Sequence, residues 1–125
     1  TLSFASPVTF KAGQADDMHI PIPLPALVFG SLVDRWNAFS PVPLDTNLRQ
    51  FADQRVAISQ YRLASEMVPQ KNKAFRVGGK GDVTYLVLER EPYWVSALNI
   101  LADYALYSGV GAQSATGMGQ TRRID

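Results

Sequence analysis

Residues 55–88 read RVAISQYRLASEMVPQKNKAFRVGGKGDVTYLVL, and they decide the fold class because they hold two successive strand patterns. The first pattern, at 55–68, is rich in β-branched and aromatic residues, which favour strands. Its apolar alternation slips between Ile58 and Tyr61, which predicts a bulge or a bend. A turn pattern at 69–73 follows, so the stretch indicates a hairpin.

Glycines divide the second strand pattern. Segments 74–77 and 82–88 are strand-like, and residues 78–81 between them read GGKG. Glycine inside a strand pattern usually marks a bulge or a long hairpin. We therefore predict that this strand is broken at the glycines.

Helical patterns lie on both sides of the hairpin. Apolar residues recur at steps of three and four over 24–39, after a proline-rich entry that suits a first helical turn. A second helix is predicted over 92–108, ended by Gly109 in the C′ position. Segment 45–53 indicates only a short helical turn.

Strands at both ends complete the pattern. The first is predicted at 2–11, interrupted at Pro7 and followed by a polar loop at 13–19, and the last is a short basic strand at 120–124. The order strand, helix, strand, strand, helix, strand is that of the ferredoxin-like, or RRM-like, split βαβ arrangement. We predict an α+β domain with a four-stranded antiparallel sheet and two helices on one face.

Composition excludes several classes of protein. The chain has 125 residues, of which 46% are hydrophobic, enough for the core of one domain and too many for a disordered segment. It has no cysteine, which excludes disulfides and thiolate metal sites and fits a reducing compartment, so we expect a cytoplasmic protein. No apolar run reaches the roughly 20 residues of a membrane span, and residues 1–7 lack a signal-peptide pattern. We expect no membrane association.

Basic residues are clustered although the net charge is only +1. Lys71, Lys73, Arg76 and Lys80 lie in a segment without acidic residues, around the turn of the predicted hairpin. Lysine and arginine side chains supply the phosphate contacts of nucleic-acid-binding proteins, and a projecting basic hairpin suits the backbone of an RNA stem. The alternative is an ordinary solvated hairpin, where lysine is common.

A glycine-rich loop, GVGAQSATGMG at 109–119, follows the second helix and precedes the last strand. Phosphate-binding loops of nucleotide enzymes run from strand to helix, so that the helix N-terminus meets the anion, and this loop runs the other way. Glycines in such a loop usually adopt a positive φ or allow another backbone to come close. The residues leave two interpretations open, a structural turn against the sheet and a close approach to RNA.

Several segments together resemble the C-terminal domain of the CRISPR-associated protein 6 family, the repeat-processing endoribonucleases of the RAMP superfamily. These segments are FASPVTF at 4–10, PLPALVFGSL at 23–32, RWN at 35–37, GKGDVTY at 79–85 and the loop at 109–119. The loop is similar to the family's glycine-rich signature, two Gly-apolar-Gly units separated by five residues, with Val110 and Met118 at the apolar positions. The family's spacer usually contains Lys or Arg, whereas the spacer at 112–116 has neither.

The resemblance implies a protein of two tandem ferredoxin-like domains, of which residues 1–125 are a single domain and the C-terminal half. Such proteins cut precursor CRISPR RNA in its repeats without a metal, by attack of the ribose 2′-hydroxyl, and leave a 2′,3′-cyclic phosphate. Their acid/base histidine typically lies in the N-terminal domain, so we expect no catalytic residue here and no cleavage by this half alone. The implied partners are CRISPR repeat RNA, the protein's own N-terminal domain and other CRISPR-associated proteins, and no cofactor or metal is implied.

The predicted RNA-binding residues lie in the glycine loop, the last strand and the hairpin. They are Gly109, Gly111, Gln113, Ser114, Thr116, Gly117, Gly119, Arg122, Arg123, Lys71, Lys73, Arg76 and Lys80. Strand alternation is expected to send Arg122 and Arg123 to opposite faces of the sheet.

Other interpretations stay open. The only histidine, His19, lies in the proline-rich entry to the first helix, and we assign it no catalytic role. An RNA-recognition module would carry stacking aromatic residues on its central strands, and segment 75–78 (FRVG) is only a weak match to its motif. The alternative function is a non-catalytic RAMP-type module that holds protein or RNA in a CRISPR complex. An exposed apolar patch without a basic groove would favour it.

Overall fold

The computed structural model describes residues 1–11, 19–70, 75–112 and 117–124. Within these residues the chain forms β1 (Leu2–Val8), β2 (Phe10–Lys11), β3 (His19–Ile20), α1 (Pro25–Phe39), α2 (Leu48–Arg55), β4 (Val56–Pro69), β5 (Phe75–Val87), α3 (Pro92–Ser108) and β6 (Thr121–Arg123). Most of the predicted loop at 13–19 and of the turn at 69–73 lies outside the described residues.

Four strands form one sheet in the order β4-β5-β1-β6, and every neighbouring pair is antiparallel. The helices pack on one face of this sheet, so the predicted ferredoxin-like α+β fold is confirmed. β2 and β3 form a separate two-stranded sheet in which Lys11 lies opposite His19. The short helical turn predicted at 45–53 is a full third helix, α2.

The two long helices begin and end where the sequence predicts. Each has a proline in its first turn, where the missing N–H has no helical partner to lose. α1 ends at Phe39, and α3 ends at Ser108, followed by Gly109, whose φ of 69° a residue with a side chain rarely adopts. Their buried residues meet the apolar side chains of β1 and β5, such as Phe4 and Val83, in one core.

The slip in the alternation of β4 is a bulge, as predicted. Ile58 lies opposite Tyr85, and Gln60 lies opposite Thr84, so Ser59 has no partner across the ladder. The extra residue keeps Ile58 and Tyr61 on the same face although three positions separate them.

The predicted break in the second hairpin strand is wrong, because β5 runs through its glycines without interruption. The pairing with β4 is one to one from Thr84 to Phe75. A Cβ at Gly79 would overlap the carbonyl oxygen of Pro21, and one at Gly78 would lie 2.6 Å from the Cβ of Pro7. These glycines allow two other parts of the chain to come close to the strand, and they do not end it.

The predicted interruption at Pro7 is also misplaced. Pro7 lies inside β1, and the strand ends one residue later, at Val8. The pairing of β1 with β5 shifts register between Phe4 and Val8, which accommodates a residue that has no N–H to donate. The carbonyl of Pro7 instead accepts a hydrogen bond from the amide of Gly119.

The sheet therefore has two different faces. The helix face carries the buried residues, and the opposite face, which we call the open face, carries most of the charged residues of the sheet, together with apolar residues such as Val68 and Leu86. One row of paired residues crosses the open face from edge to edge: Arg62, Asp82, Ser3 and Arg122. Gln60 and Thr84 form the next pair on the same face, in a shallow polar depression of about 490 Å³.

Candidate functional site

The glycine loop closes on itself and on β1. The amide of Val110 donates to the carbonyl of Gly119 at 2.9 Å, and the amide of Ala112 donates to the carbonyl of Thr9 at 2.8 Å. Val110 and Met118 are both buried, so the two apolar positions of the signature enter the core. The described part of the loop is thus a packed structure.

Two of the loop glycines are required by this packing. Gly111 has φ 79°, and a Cβ there would overlap the carbonyl oxygen of Thr9. Gly119 has φ 72°, and a Cβ there would overlap the carbonyl oxygen of Val110. Gly117 differs because its φ is 94° but no described atom lies within 4 Å of a Cβ built on it. Of these three glycines, Gly117 is therefore the one with open space beside its Cα.

Two residues of α1 form hydrogen bonds with the backbone of the loop. The amide of Gly111 donates to Ser31 Oγ at 3.1 Å, and its carbonyl accepts from Arg35 Nη2. Arg35 Nη1 also donates to the carbonyl of Ser108 at 3.0 Å. We call Ser31 and Arg35 the α1 clamp, because one guanidinium joins the end of α3 to the loop that follows it.

The α1 clamp is partly withdrawn from solvent. Burial lowers the pKa of the Arg35 guanidinium below its ordinary value, and the nearby phenol of Tyr104 opposes that shift. The guanidinium remains charged, since the ordinary pKa of arginine lies far above neutral pH. Its hydrogen bonds to the two carbonyls are therefore charge-assisted.

RNA contact by the loop stays a prediction, but the structure limits how it can occur. The amides of Gly109, Gly111 and Gly119 all donate within the chain, so they have no free N–H to offer a phosphate. The predicted residues Gln113, Ser114 and Thr116 lie outside the described residues.

Arg122 and Arg123 point to opposite faces of the sheet, as their alternation predicts. Arg123 lies opposite Leu2 on the helix face, and its Nη1 is 3.6 Å from Asp103 Oδ1 on α3. Arg122 lies opposite Ser3 on the open face and lines a cavity beside Gly109. Of the two arginines, Arg122 is the one placed next to the glycine loop.

The hairpin places its described basic residues on the open face as well. Arg76 lies opposite Val68, and Lys80 lies opposite Ala64, both in the same alternation as Asp82. Lys80 is exposed and Arg76 is half-buried. Lys71 and Lys73 lie outside the described residues.

The open face also carries a cation that the sequence prediction missed. Arg62 is exposed at the β4 edge, opposite Asp82. The signal was available: once one extra residue is counted at the predicted slip, Arg62 lies on the face opposite to that of Ile58. Ser31 and Arg35 were missed for a different reason, since their partners lie 73 to 80 residues further along the chain.

Four cations thus share the open face: Arg62, Arg76, Lys80 and Arg122. None of them forms an ion pair with another described residue, whereas Arg49, Arg55 and Arg123 are each paired with a carboxylate. Two carboxylates, Asp82 and Glu66, lie on the same face. The face therefore has a net positive charge, set among polar side chains that can donate or accept hydrogen bonds.

Other site types have little support within the described residues. His19 is half-buried in β3, which belongs to the separate two-stranded sheet. No group of three or more potential metal-ligating residues occurs in residues 1–11, 19–70, 75–112 and 117–124. None of the helices in that part of the chain is long and apolar enough to cross a membrane.

Comparison with protein families identifies the chain. The sequence model described as "CRISPR-associated endoribonuclease Cas6" matches residues 2–121. The chain belongs to the Cas6 family. The resemblance stated from its motifs is thereby confirmed. A search of curated protein sequences finds no significant match.

Solved Cas6 structures are similar over almost the whole chain. Thermus thermophilus Cas6 (TTHB231) is 30% identical with a TM-score of 0.89, over 98% of this chain and 52% of that one. A product complex of the same Cas6 gives a TM-score of 0.88 at 30% identity, over 98% of this chain and 49% of that one. A substrate mimic complex of another Cas6 (TTHA0078) gives a TM-score of 0.77 at 33% identity, over 97% of this chain and 50% of that one. The chain thus spans about half the length of the Cas6 structures that it matches.

Proposed function

We propose that this chain is the RNA-binding, C-terminal ferredoxin-like domain of a CRISPR repeat endoribonuclease. Its substrate is precursor CRISPR RNA, cut within the repeats. The proposal is supported by membership of the Cas6 family and by likeness to a Cas6 in complex with a substrate mimic and with product. Since the chain spans about half of those proteins, we assign the remaining half to an N-terminal domain.

The observation that carries the proposal is the set of four unpaired cations on the open face. An arginine or lysine without a carboxylate partner is available to a phosphate, and each such contact releases a counterion from the nucleic acid. The row from Arg62 to Arg122 spans four strands, or about 14 Å at the usual strand spacing. An RNA strand laid across this row meets a cation at both edges, the hydroxyl of Ser3 beside Arg122, and the carboxylate of Asp82, which repels phosphate, beside Arg62.

In the proposed reaction the RNA supplies its own nucleophile. The ribose 2′-oxygen attacks the adjacent phosphorus, the bond to the 5′-oxygen breaks, and a 2′,3′-cyclic phosphate forms without a metal ion. A base must remove the proton of the 2′-hydroxyl, and an acid must protonate the leaving oxygen. We place both groups outside this chain and assign the open face and the glycine loop to holding the RNA in register.

A matched pair of arginine variants tests the binding surface. Arg62 and Arg90 are both exposed and neither forms an ion pair with a described residue, but only Arg62 lies on the open face. Arg62→Glu should weaken binding of repeat RNA and lower the slope of log K against log salt by about 1. Arg90→Glu changes the net charge equally and should leave the slope unchanged. Equal effects of the two substitutions would contradict the proposal.

Cleavage tests the division of labour between the two halves. The full-length protein should cut repeat RNA in the presence of a chelator, and this domain alone should bind the RNA without cutting it. Efficient cleavage by the isolated domain would place an acid/base group in this chain and overturn that part of the proposal.

One observation supports the second candidate, a non-catalytic scaffold module. The helix face of the hairpin, beyond the reach of the helices, exposes Tyr61, Met67, Phe75 and Val77. Exposed apolar patches of this kind mark contacts with protein. If this candidate is correct, Met67→Lys will abolish assembly with a CRISPR-associated protein, and Arg62→Glu will leave RNA affinity unchanged.

A further inference from the structure

A cavity of about 320 Å³ lies between the C-terminal end of α3 and the edge strand β6. One wall is formed by residues 106–109, and the other by Gln120 and Arg122. Ala5 and the largely buried Met118 and Thr121 complete the lining. The cavity touches both arms of the glycine loop, at Gly109 and at Met118, so a ligand in it would contact the loop directly.

The aromatic residue of this cavity, Tyr107, has no partner among the described residues. Tyr107 is 83% exposed, and it makes no ring contact or side-chain hydrogen bond with another described residue. Two other tyrosines on α3 are engaged: Tyr104 packs on Trp36, and Tyr93 packs on Trp94. Tyr107 therefore presents a free ring face at the mouth of the cavity.

The β6 wall of the cavity carries a cation, Arg122, without an ion-pair partner among the described residues. Arg122 is exposed and has no ion pair with a residue in the described ranges, whereas its neighbour Arg123 is paired with Asp103. The carbonyl end of α3 carries the negative pole of the helix dipole, so an anion is disfavoured on the helix side and favoured on the β6 side. The cavity thus combines a ring, a small apolar floor and a positive charge on one wall only.

We propose that this cavity binds one unstacked nucleobase of single-stranded RNA, with the base on the ring of Tyr107 and its phosphate at Arg122. The inference rests on the proposed function and names a subsite for it. Single-stranded RNA is recognised by stacking of splayed bases on aromatic side chains, which tolerates any base, and by cations that follow the backbone. The side-chain carboxamide of Gln120, an exposed residue, can form hydrogen bonds with the edge of the base.

Fluorescence of a base analogue tests the subsite directly. Short single-stranded RNAs carry 2-aminopurine at one position each, and stacking on a tyrosine quenches its emission. The wild-type protein should quench one position. Tyr107→Ala should abolish that quenching and lower affinity about tenfold, and Tyr107→Phe should keep both. Phe39→Ala removes an equally exposed ring (82%) at the end of α1 and should change neither.

The outcomes separate the subsite from the proposed function. If Tyr107→Ala binds RNA like the wild type while Arg62→Glu binds weakly, the subsite is wrong and the RNA-binding function stands. If the wild-type protein binds no RNA, both fail together. A Tyr107→Phe variant as weak as Tyr107→Ala would mean that the phenol oxygen, not the ring face, is used, and would also overturn the stacking proposal.

Discussion

Removing the guanidinium of the α1 clamp should loosen the glycine loop and destabilise the domain. Arg35 donates to the carbonyls of Ser108 and Gly111, and a hydrogen bond that involves a charged group contributes about 1.5–3 kcal/mol. The site is half-buried, so water can replace part of this, and the two bonds share one side chain. We expect Arg35→Ala to lower the free energy of unfolding by about 2–3 kcal/mol. For a domain of this size that corresponds to a fall in Tm of about 8–12 °C.

Thermal unfolding followed by circular dichroism measures the loss, and hydrogen exchange shows where it arises. The amides of Gly111 and Ala112 should exchange faster in Arg35→Ala, because the loop they belong to loses its anchor on α1. Arg35→Lys should recover only part of the stability, since an ammonium group cannot reach both carbonyls as a planar fork does.

Arg49→Ala is the matched control for this experiment. Arg49 bonds Asp34 at 2.9 Å, but both side chains are exposed, and such surface pairs contribute only about 0.2–1 kcal/mol. An Arg35→Ala variant that melts at the same temperature as Arg49→Ala, with unchanged exchange in the loop, would refute the role of the clamp.

Two further predictions concern backbone conformation and pH. Gly111→Ala should lower the free energy of unfolding by more than about 2 kcal/mol, because the new Cβ overlaps Thr9 and the positive φ is also unfavourable. Gly117→Ala should lower it only by the roughly 1–2 kcal/mol that the positive φ costs, and urea unfolding of the two variants measures the difference. Burial raises the pKa of the Tyr85 phenol, which bonds the carbonyl of Pro23. The unfolded chain then loses this proton near pH 10 while the folded protein keeps it, so stability should fall by about 1.4 kcal/mol per pH unit above pH 10 and not below. Tyr85→Phe should remove that slope, and an unchanged slope would contradict the assignment.

The order of elements was predictable because each one is encoded locally. Prolines at the first turns of α1 and α3 and a glycine at the end of α3 fix the long helices without help from the rest of the chain. The bulge at Ser59 was equally local, since the displaced apolar pattern is visible in β4 itself.

The sequence-based predictions were wrong where contacts between distant parts of the chain determine the local structure. Gly78 and Gly79 resemble strand breakers in the sequence. In the structure they leave room for Pro7 and Pro21, which are distant in sequence but pack directly against the strand. The same holds for the candidate site. The opposite directions of Arg122 and Arg123 follow from strand alternation. The carboxylate that pairs with Arg123, however, belongs to Asp103 on α3, and the sequence gives no sign of that contact. The α1 clamp has no sequence signal of its own, because it joins elements that only the folded chain brings together.

The unequal lengths of the strands have a mechanical consequence. The ladder of β5 with β1 ends at Gly79, whereas its ladder with β4 continues to Phe75. The distal hairpin is therefore a ribbon of two strands, and two-stranded ribbons twist more strongly than wider sheets. Within the four-stranded part β5 is hydrogen-bonded on both sides, whereas in the ribbon it is hydrogen-bonded only to β4. The ribbon is therefore the part of the sheet whose twist is least constrained by neighbouring strands.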